Sequence, residues 1–222
     1  MNWEKHISWA MLQKKFNIKP VSFLNIGGIL NRTTIWEDGV LTARDIGPGM
    51  CLIDRWVRKK IKKNYDKDGM LAKTGDVNKE SLEQLLKNFY KKENTSTKGP
   101  IQSFDTKHFD FSFVKHLSLE DGAATLTEFT SQIIDSVIKE KNLDKGEIIL
   151  CGGGRKNNFL VEKLKEKKIS LKLIDEYGVD GDFVESQAFA YLAIRSYLKL
   201  PISFPKTTGV KKPCLGGVIF KS

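Results

Sequence analysis

The stretch Arg44-Asp45-Ile46-Gly47-Pro48-Gly49-Met50-Cys51-Leu52-Ile53-Asp54 decides how the rest of the chain is read. A β-prone run ends in an acidic side chain, a Gly-Pro-Gly turn follows, and an amphipathic run begins at once. That is the signature of a strand, a tight turn and a helix. Ligands in open α/β sheets bind at the carboxyl ends of strands, so Asp45 stands where a catalytic base would be placed. Two further glycine-rich turns also follow short apolar runs: Asn25-Ile26-Gly27-Gly28 and Cys151-Gly152-Gly153-Gly154. A strand, a run of glycines and a helix start form a cradle of backbone amides for phosphate or a close-lying nucleoside. The three turns are therefore expected to converge on one phosphate-bearing ligand.

Upstream, Val21 to Ile26 reads as a strand, and Leu30 to Trp36 and Val40 to Ala43 read as two more. The Glu37-Asp38-Gly39 turn between the last two is a hairpin signal. Before them, Ile7, Trp9, Ala10, Leu12 and Phe16 have a loose helical spacing that Pro20 breaks. Downstream, Leu52, Ile53, Trp56 and Val57 fall on one face of a helix. Tyr65-Asp66-Lys67-Asp68-Gly69 is a polar turn that lacks the full twelve-residue calcium loop. Ser81 to Lys91 is expected to be helical. From Gly122, residues Ala124, Leu126, Phe129, Ile133, Ile134 and Val137 define a longer helix. Glu128 within it suits either a solvated face or a ligand contact.

The second half alternates: strand Glu147–Leu150, helix Asn157–Lys168, strand Ile169–Ile174, the turn Asp175-Glu176-Tyr177-Gly178, then helix Phe183–Lys199 before Pro201. Leu215 to Phe220 is strand-like. Three antiparallel strands followed by alternating helices and parallel strands predict an α/β fold. The expected division is a helical segment over 1–20, a domain over 21–200 with an irregular and helical insert at 64–120, and a tail over 201–222.

The formal net charge is +10, from 37 Lys and Arg against 27 Asp and Glu. Most of the basic residues are Lys interleaved with acids along the whole chain, as on solvated helix faces, so nucleic acid is not an expected partner. No apolar run reaches the roughly 20 residues that cross a bilayer. The opening Met1-Asn2-Trp3-Glu4-Lys5-His6 lacks a signal-peptide core, and Cys51, Cys151 and Cys214 have no metal or disulfide spacing. A reducing, cytoplasmic setting is expected. His108 and His116 have no Cys or paired carboxylates at ligand spacing, so no metal site of the chain's own is expected.

This order of elements resembles one domain of the actin/hexokinase-like (ribonuclease H-like) ATPases. Within that group the sequence is similar to the 1,6-anhydro-N-acetylmuramic acid kinase family. The resemblance rests on an ordered set of stretches: Leu24 to Gly28, Asp45 to Gly49 with Leu52-Ile53-Asp54, and Tyr65 to Gly69. It continues with Ala124 to Glu128, Cys151 to Gly154 with Asn157, Asp175 to Gly178, Glu185 to Ala193, and Thr208-Gly209 with Leu215-Gly216-Gly217. It implies an enzyme that uses ATP and Mg²⁺ to open the anhydro bond of the sugar and phosphorylate O6, yielding N-acetylmuramic acid 6-phosphate in murein recycling. It implies Asp45 as the base that activates water. It implies nucleotide contacts from Asn25, Gly27, Gly28, Gly47, Gly49, Gly152, Gly153, Gly154 and Asn157, and a sugar contact from Glu185. The residues themselves leave other roles open. Asp45 suits a helix cap, Asp54 a surface ion pair, Glu185 the positive end of its helix, and Cys151 a small buried apolar position.

Departures accompany the resemblance. The family's Gly-Thr-Ser-x-Asp-Gly phosphate loop is absent, so the chain is expected to be the carboxyl-terminal part of such an enzyme, with little turnover alone: a truncated gene product, half of a split enzyme completed by a separately encoded first domain or a second copy, or an inactive remnant. Pro100-Ile101-Gln102-Ser103-Phe104-Asp105 stands where the family has Pro-Lys-Ser-Thr-Gly-Arg, and Met50 replaces an Asn. Two other readings stand beside the kinase: a non-catalytic basic binding module, and a kinase for another sugar.

Overall fold

Side-chain alternation along β1 (Val21–Ile26), β2 (Ile29–Ile35) and β3 (Leu41–Pro48) separates two layers in a computed structural model that describes residues 20–96, 104–140, 142–218 and 220. β4 (Glu147–Cys151) and β5 (Lys172–Leu173) complete a five-stranded sheet of order β3-β2-β1-β4-β5. β1 pairs antiparallel with β2 and β2 with β3, while β4 runs parallel to both β1 and β5. This is the α/β arrangement expected from the sequence. The carboxyl ends of β1, β3 and β4 therefore share one edge of the sheet.

One face buries Leu24, Ile26, Leu30, Ile46, Ile148 and Leu150 in the main core. It is covered by α1 (Cys51–Ile61), α4 (Leu119–Glu140) and α5 (Asn158–Glu166), whose apolar stripes contribute Trp56, Leu126, Phe129, Ile133 and Leu160. The Trp56 ring is fully buried and its indole N–H donates to the carbonyl of Leu119 at 2.9 Å, so the polar atom of the large ring is satisfied. The opposite face buries Val21, Phe23, Ile35, Ile149 and Cys151 beneath Ile174. Between the main elements lie α2 (Met70–Thr74) and α3 (Lys79–Ser96), and Phe89, Phe109 and Phe111 anchor this insert to the main core. Glu128 accepts from Lys167 at 2.8 Å and from Gln132 at 3.0 Å, which binds α4 to the end of α5 instead of to a ligand.

Three sequence expectations differ from the structure. The strand over 169–174 shrinks to Lys172–Leu173, because Ile169 turns into the main core and Ile174–Tyr177 closes a 3-10 turn. The last long helix, α6, covers Val184–Tyr197, ending ahead of Pro201. No strand forms over the described residues of 215–220. Beyond an isolated bridge between Ser203 and Cys214 that segment has no strand to pair with, and Leu215, Val218 and Phe220 stay exposed. α7 (Pro205–Thr208) is a single capped turn. The expected helix over 1–20 lies outside the described residues.

The Gly-Pro-Gly turn is fastened to the Gly27-Gly28 turn. The amides of Gly49, Met50 and Cys51 donate to the carbonyls of Gly28, Gly27 and Gly28 at 3.0, 2.8 and 3.2 Å. A Cβ at Gly49 would stand 2.3 Å from the carbonyl oxygen of Gly27, whereas one at Gly28 would meet only ordinary contacts at 3.8 Å. Gly49→Ala is therefore expected to destabilise the fold by about 2–4 kcal/mol in denaturant unfolding, and Gly28→Ala by well under about 1 kcal/mol.

Candidate functional site

Register across the sheet sets a polar row at the shared carboxyl edge. Asn25 lies opposite both Asn31 and Cys151, and Asn31 lies opposite Asp45. Opposed residues on neighbouring strands share a face, so this row belongs to the side away from α1 and α4. Asp45 is only 2% exposed, and its Oδ2 accepts the backbone N–H of Phe104 at 2.9 Å. The residue at the N-terminus of α1 is Met50, which makes no side-chain cap, so Asp45 does not serve as the helix cap.

Among the described residues two cavities open at this edge, one on each side of the sheet. The larger, of about 430 Å³, is lined by Gly27 and Gly28 of the first glycine turn, Gly153, Gly154 and Asn157 of the third, and Asp54, Tyr65, Asp66 and Asp68. The smaller, of about 160 Å³, is lined by Asn25, Asn31, Thr33, Cys151, Gly152, Gly153, Arg155, Asp182 and Glu185, among others. Gly153 borders both, and a Cβ there would meet nothing within 4 Å. Gly152 has φ +78°, and a Cβ would lie 2.2 Å from the Asn25 amide oxygen, so the turn can approach β1 only as glycine. Gly47 and Gly49 border neither cavity: Gly47 packs against the ring of Phe89, and Gly49 supports the first turn from behind.

The larger cavity has an acidic wall. Asp66 is buried and its carboxylate accepts the N–H groups of Leu71 and Ala72 at 2.9 and 3.0 Å, so the polar turn read from the sequence is a cap for α2. Burial nonetheless raises its pKa. Burial pushes the Asp54 carboxyl up to about 6, opposed by Arg58 and reinforced by Asp66. Its Oδ1 is buried without a partner, as is Nδ2 of Asn157, whose Oδ1 caps α5 through the N–H of Leu160 at 2.9 Å. Among the described residues no group of three or more His, Cys, Asp or Glu is arranged to hold a metal ion.

Arg155 fixes the third turn. Its buried guanidinium donates to both oxygens of Asp175 at 2.7 and 3.0 Å, to Asp182 at 3.1 Å and to the carbonyl of Gly152 at 3.1 Å. The bidentate pair holds the Asp175 carboxyl down at about 2. Lys156 adds a second contact to Asp182. This clamp joins the glycine turn to the segment before α6, which places exposed Glu185 at the smaller cavity. Sequence reading missed Asn31, Thr33, Arg155 and Asp182 as cavity residues. β2 carries four polar residues in a row, Asn31 to Thr34, so its alternation puts Asn31 and Thr33 on one face without telling which face meets the site.

Residues 8–222 match the protein family described as anhydro-N-acetylmuramic acid kinase. The chain is 50% identical over 215 residues to the anhydro-N-acetylmuramic acid kinase of Pelagibacter ubique (strain HTCC1062), covering 92% of this chain and 56% of that protein. It is 40% identical over 201 residues to the enzyme of the same name from Caulobacter vibrioides, covering 90% and 53%. The chain thus spans about half the length of the curated relatives it matches. Among solved structures it is similar, at a TM-score of 0.50 and 11% identity, to the activator of the 2-hydroxyisocaproyl-CoA dehydratase from Clostridium difficile with bound ADPNP. That likeness covers 89% of this chain and 67% of that one, and it bears on the fold alone, which is actin/hexokinase-like. No helix among the described residues is long and apolar enough to cross a membrane.

The native Asp54 carboxyl keeps its proton up to a pH of about 6, whereas the unfolded chain releases it near the ordinary value of 3.8. Between those limits the native state binds more protons, so this group makes stability fall as pH rises. Thermal unfolding of Asp54→Asn between pH 4 and pH 7 is expected to show a flatter fall than the parent, and carboxyl-carbon NMR of the parent is expected to titrate Asp54 near 6. A midpoint at the ordinary value removes this account of the acidic wall.

Proposed function

This chain belongs to the anhydro-N-acetylmuramic acid kinase family, and from that premise we propose that it forms the carboxyl-terminal wall of an ATP-dependent kinase acting on 1,6-anhydro-N-acetylmuramic acid. The observation that carries the reading is the meeting of the Gly27-Gly28 and Gly153-Gly154 turns, far apart in sequence, around one cavity of about 430 Å³. A Cβ at Gly153 would meet nothing within 4 Å, and one at Gly27 or Gly28 only ordinary contacts at 3.5 and 3.8 Å, which fits a group that approaches backbone closely. The unpartnered Nδ2 of Asn157 offers a donor to such a group.

In this reading Gly27 and Gly28 face the phosphates, and Gly152, Gly153, Gly154 and Asn157 face the nucleoside. ATP supplies the phosphoryl group that O6 of the sugar takes up, and Mg²⁺ offsets charge on the phosphates. A Mg²⁺ that arrives with the phosphates would be held from this chain by the Asp54 carboxylate, whose Oδ1 has no protein partner, one carboxylate with substrate phosphates being the usual mode for that ion. As water attacks C1, Asp45, hydrogen-bonded by the N–H of Phe104, accepts its proton while the C1–O6 bond breaks, and the freed O6 takes the phosphoryl group. Asn25 and Asn31 extend the same polar row, and Glu185 across the smaller cavity contacts the sugar. The product is the 6-phosphate used in cytoplasmic murein recycling.

Closure of a second wall is required to exclude water and align these groups. Exposed apolar side chains around α6 and the tail support such a cover, with Phe183, Phe189, Ile194 and Tyr197 all more than half exposed. With the first domain of a family relative supplied in trans, the chain is expected to form sugar 6-phosphate detectable by ³¹P NMR. Asp45→Asn is expected to lower that rate by at least about 10²-fold while leaving nucleotide binding intact. Undiminished turnover in the variant would remove Asp45 as the base. Failure of the parent chain under conditions where an intact relative works would remove the kinase reading.

A further inference from the structure

Arg55 sits in the second turn of α1 and borders neither cavity, yet its guanidinium reaches the insert. Its Nη1 donates to the carbonyl of Phe109 at 2.9 Å and to that of Thr106 at 3.3 Å. The same guanidinium stands over the Phe111 ring, 5.2 Å from its centroid. One half-buried cation thus gathers Thr106, Phe109 and Phe111 onto α1. A planar guanidinium suits this task, since its pre-organised fork loses little freedom per hydrogen bond.

The strap that Arg55 holds is braced from within. Asp105 accepts the N–H of Lys107, and His108 Nδ1 accepts the N–H of Asp105, each at 2.9 Å. Together they close a capping box around the Thr106–His108 3-10 turn. Directly ahead of that turn, Phe104 packs its ring 5.2 Å from that of Phe109 and donates its N–H to Oδ2 of Asp45 at 2.9 Å. A Cβ at Gly28 would meet the Thr106 methyl at 3.8 Å, so the strap also lies against the first glycine turn. A shift of the strap therefore disturbs a hydrogen bond on the Asp45 carboxylate and a contact on that turn together. We propose that Arg55 is a positioning residue: by holding the Thr106 and Phe109 carbonyls it fixes the Phe104 N–H on Asp45 and so orients the carboxylate. The step from orientation to rate rests on the reading of Asp45 as the base. A misplaced base costs rate and not affinity, because reacting groups must be aligned to within about 1 Å.

The test combines hydrogen exchange and carboxyl-carbon NMR on the full chain with kinetics. Arg55→Met keeps the length of the stem and removes the donors. In that variant the Phe104 amide is expected to exchange about tenfold faster than in the parent, with the Leu24 and Ile149 amides of the sheet unchanged. The Asp45 carboxyl-carbon resonance is expected to move from its parent position. With the first domain of a family relative supplied in trans, kcat for sugar 6-phosphate is expected to fall about tenfold while KM for ATP and for the sugar stays within about twofold. Arg55→Lys keeps the charge but not the fork, and is expected to lie between parent and Arg55→Met in each measurement. Should Arg55→Met fail to fold, Arg55→Lys decides, with Phe104 exchange expected at least about threefold faster than in the parent. Parent-like exchange at Phe104 in the variant that folds overturns the proposal, as does faster exchange with an unchanged kcat. A parent chain that yields no sugar phosphate counts against the kinase reading alone, and Phe104 exchange with the Asp45 resonance then decides the role of Arg55.

Discussion

The carbonyl-to-amide contact between two glycine turns is the constraint on which the rest of this structure depends. The amides that begin α1 donate to the carbonyls of Gly27 and Gly28. Thr130 of α4 then donates to the carbonyl of Gly49 at 3.2 Å, so strand β1, strand β3 and both long helices meet through a few backbone groups. Backbone polar groups in a buried place must be paired. Here the pairing also fixes which side of each turn faces outward. The Gly49 turn spends its amides inward, which leaves Gly27 and Gly28 as the open surface of the larger cavity.

A second constraint acts on the third turn. Arg155 is buried, and its cost of desolvation is met by a bidentate partner, a second carboxylate and a carbonyl. Those partners lie on both sides of the turn at Asp175 and Asp182, so the clamp makes the position of α6 a consequence of the glycine turn. One backbone loop thereby borders two cavities, and Gly153 is the point they share. The polar row Asn25, Asn31 and Asp45 continues from that point across the sheet.

The architecture was legible because its signals are local. The hairpin turn at Gly39, the amphipathic stripe Leu52 to Val57 and the glycine turns after apolar runs each report their own structure. The site was legible in part. Gly27, Gly28, Gly153, Gly154 and Asn157 border one cavity, since a turn that follows a parallel strand opens at the carboxyl edge. Gly47 and Gly49 read the same way in sequence, yet they serve packing, because only the register of neighbouring backbone decides whether a glycine faces ligand or chain. Arg155 and Asp182 were invisible as partners, being 27 residues apart and joined only by folding. The tail from Leu215 reads as a strand by composition, but a strand needs an edge to pair with, and composition does not specify one.

The placement of Asp45 carries a consequence for the proposed chemistry. The candidate base lies on one face of the sheet and the acidic wall with the glycine cradle on the other, with the carboxyl edge between them. A ligand that touches both must bridge that edge over Gly153, where the chain leaves space and no side chain. Phe104 lies over Asp45, and its ring packs against Phe109 and Phe89, so the carboxylate is shielded from bulk water by the insert. A shielded carboxylate gains catalytic use only where its substrate water is also enclosed.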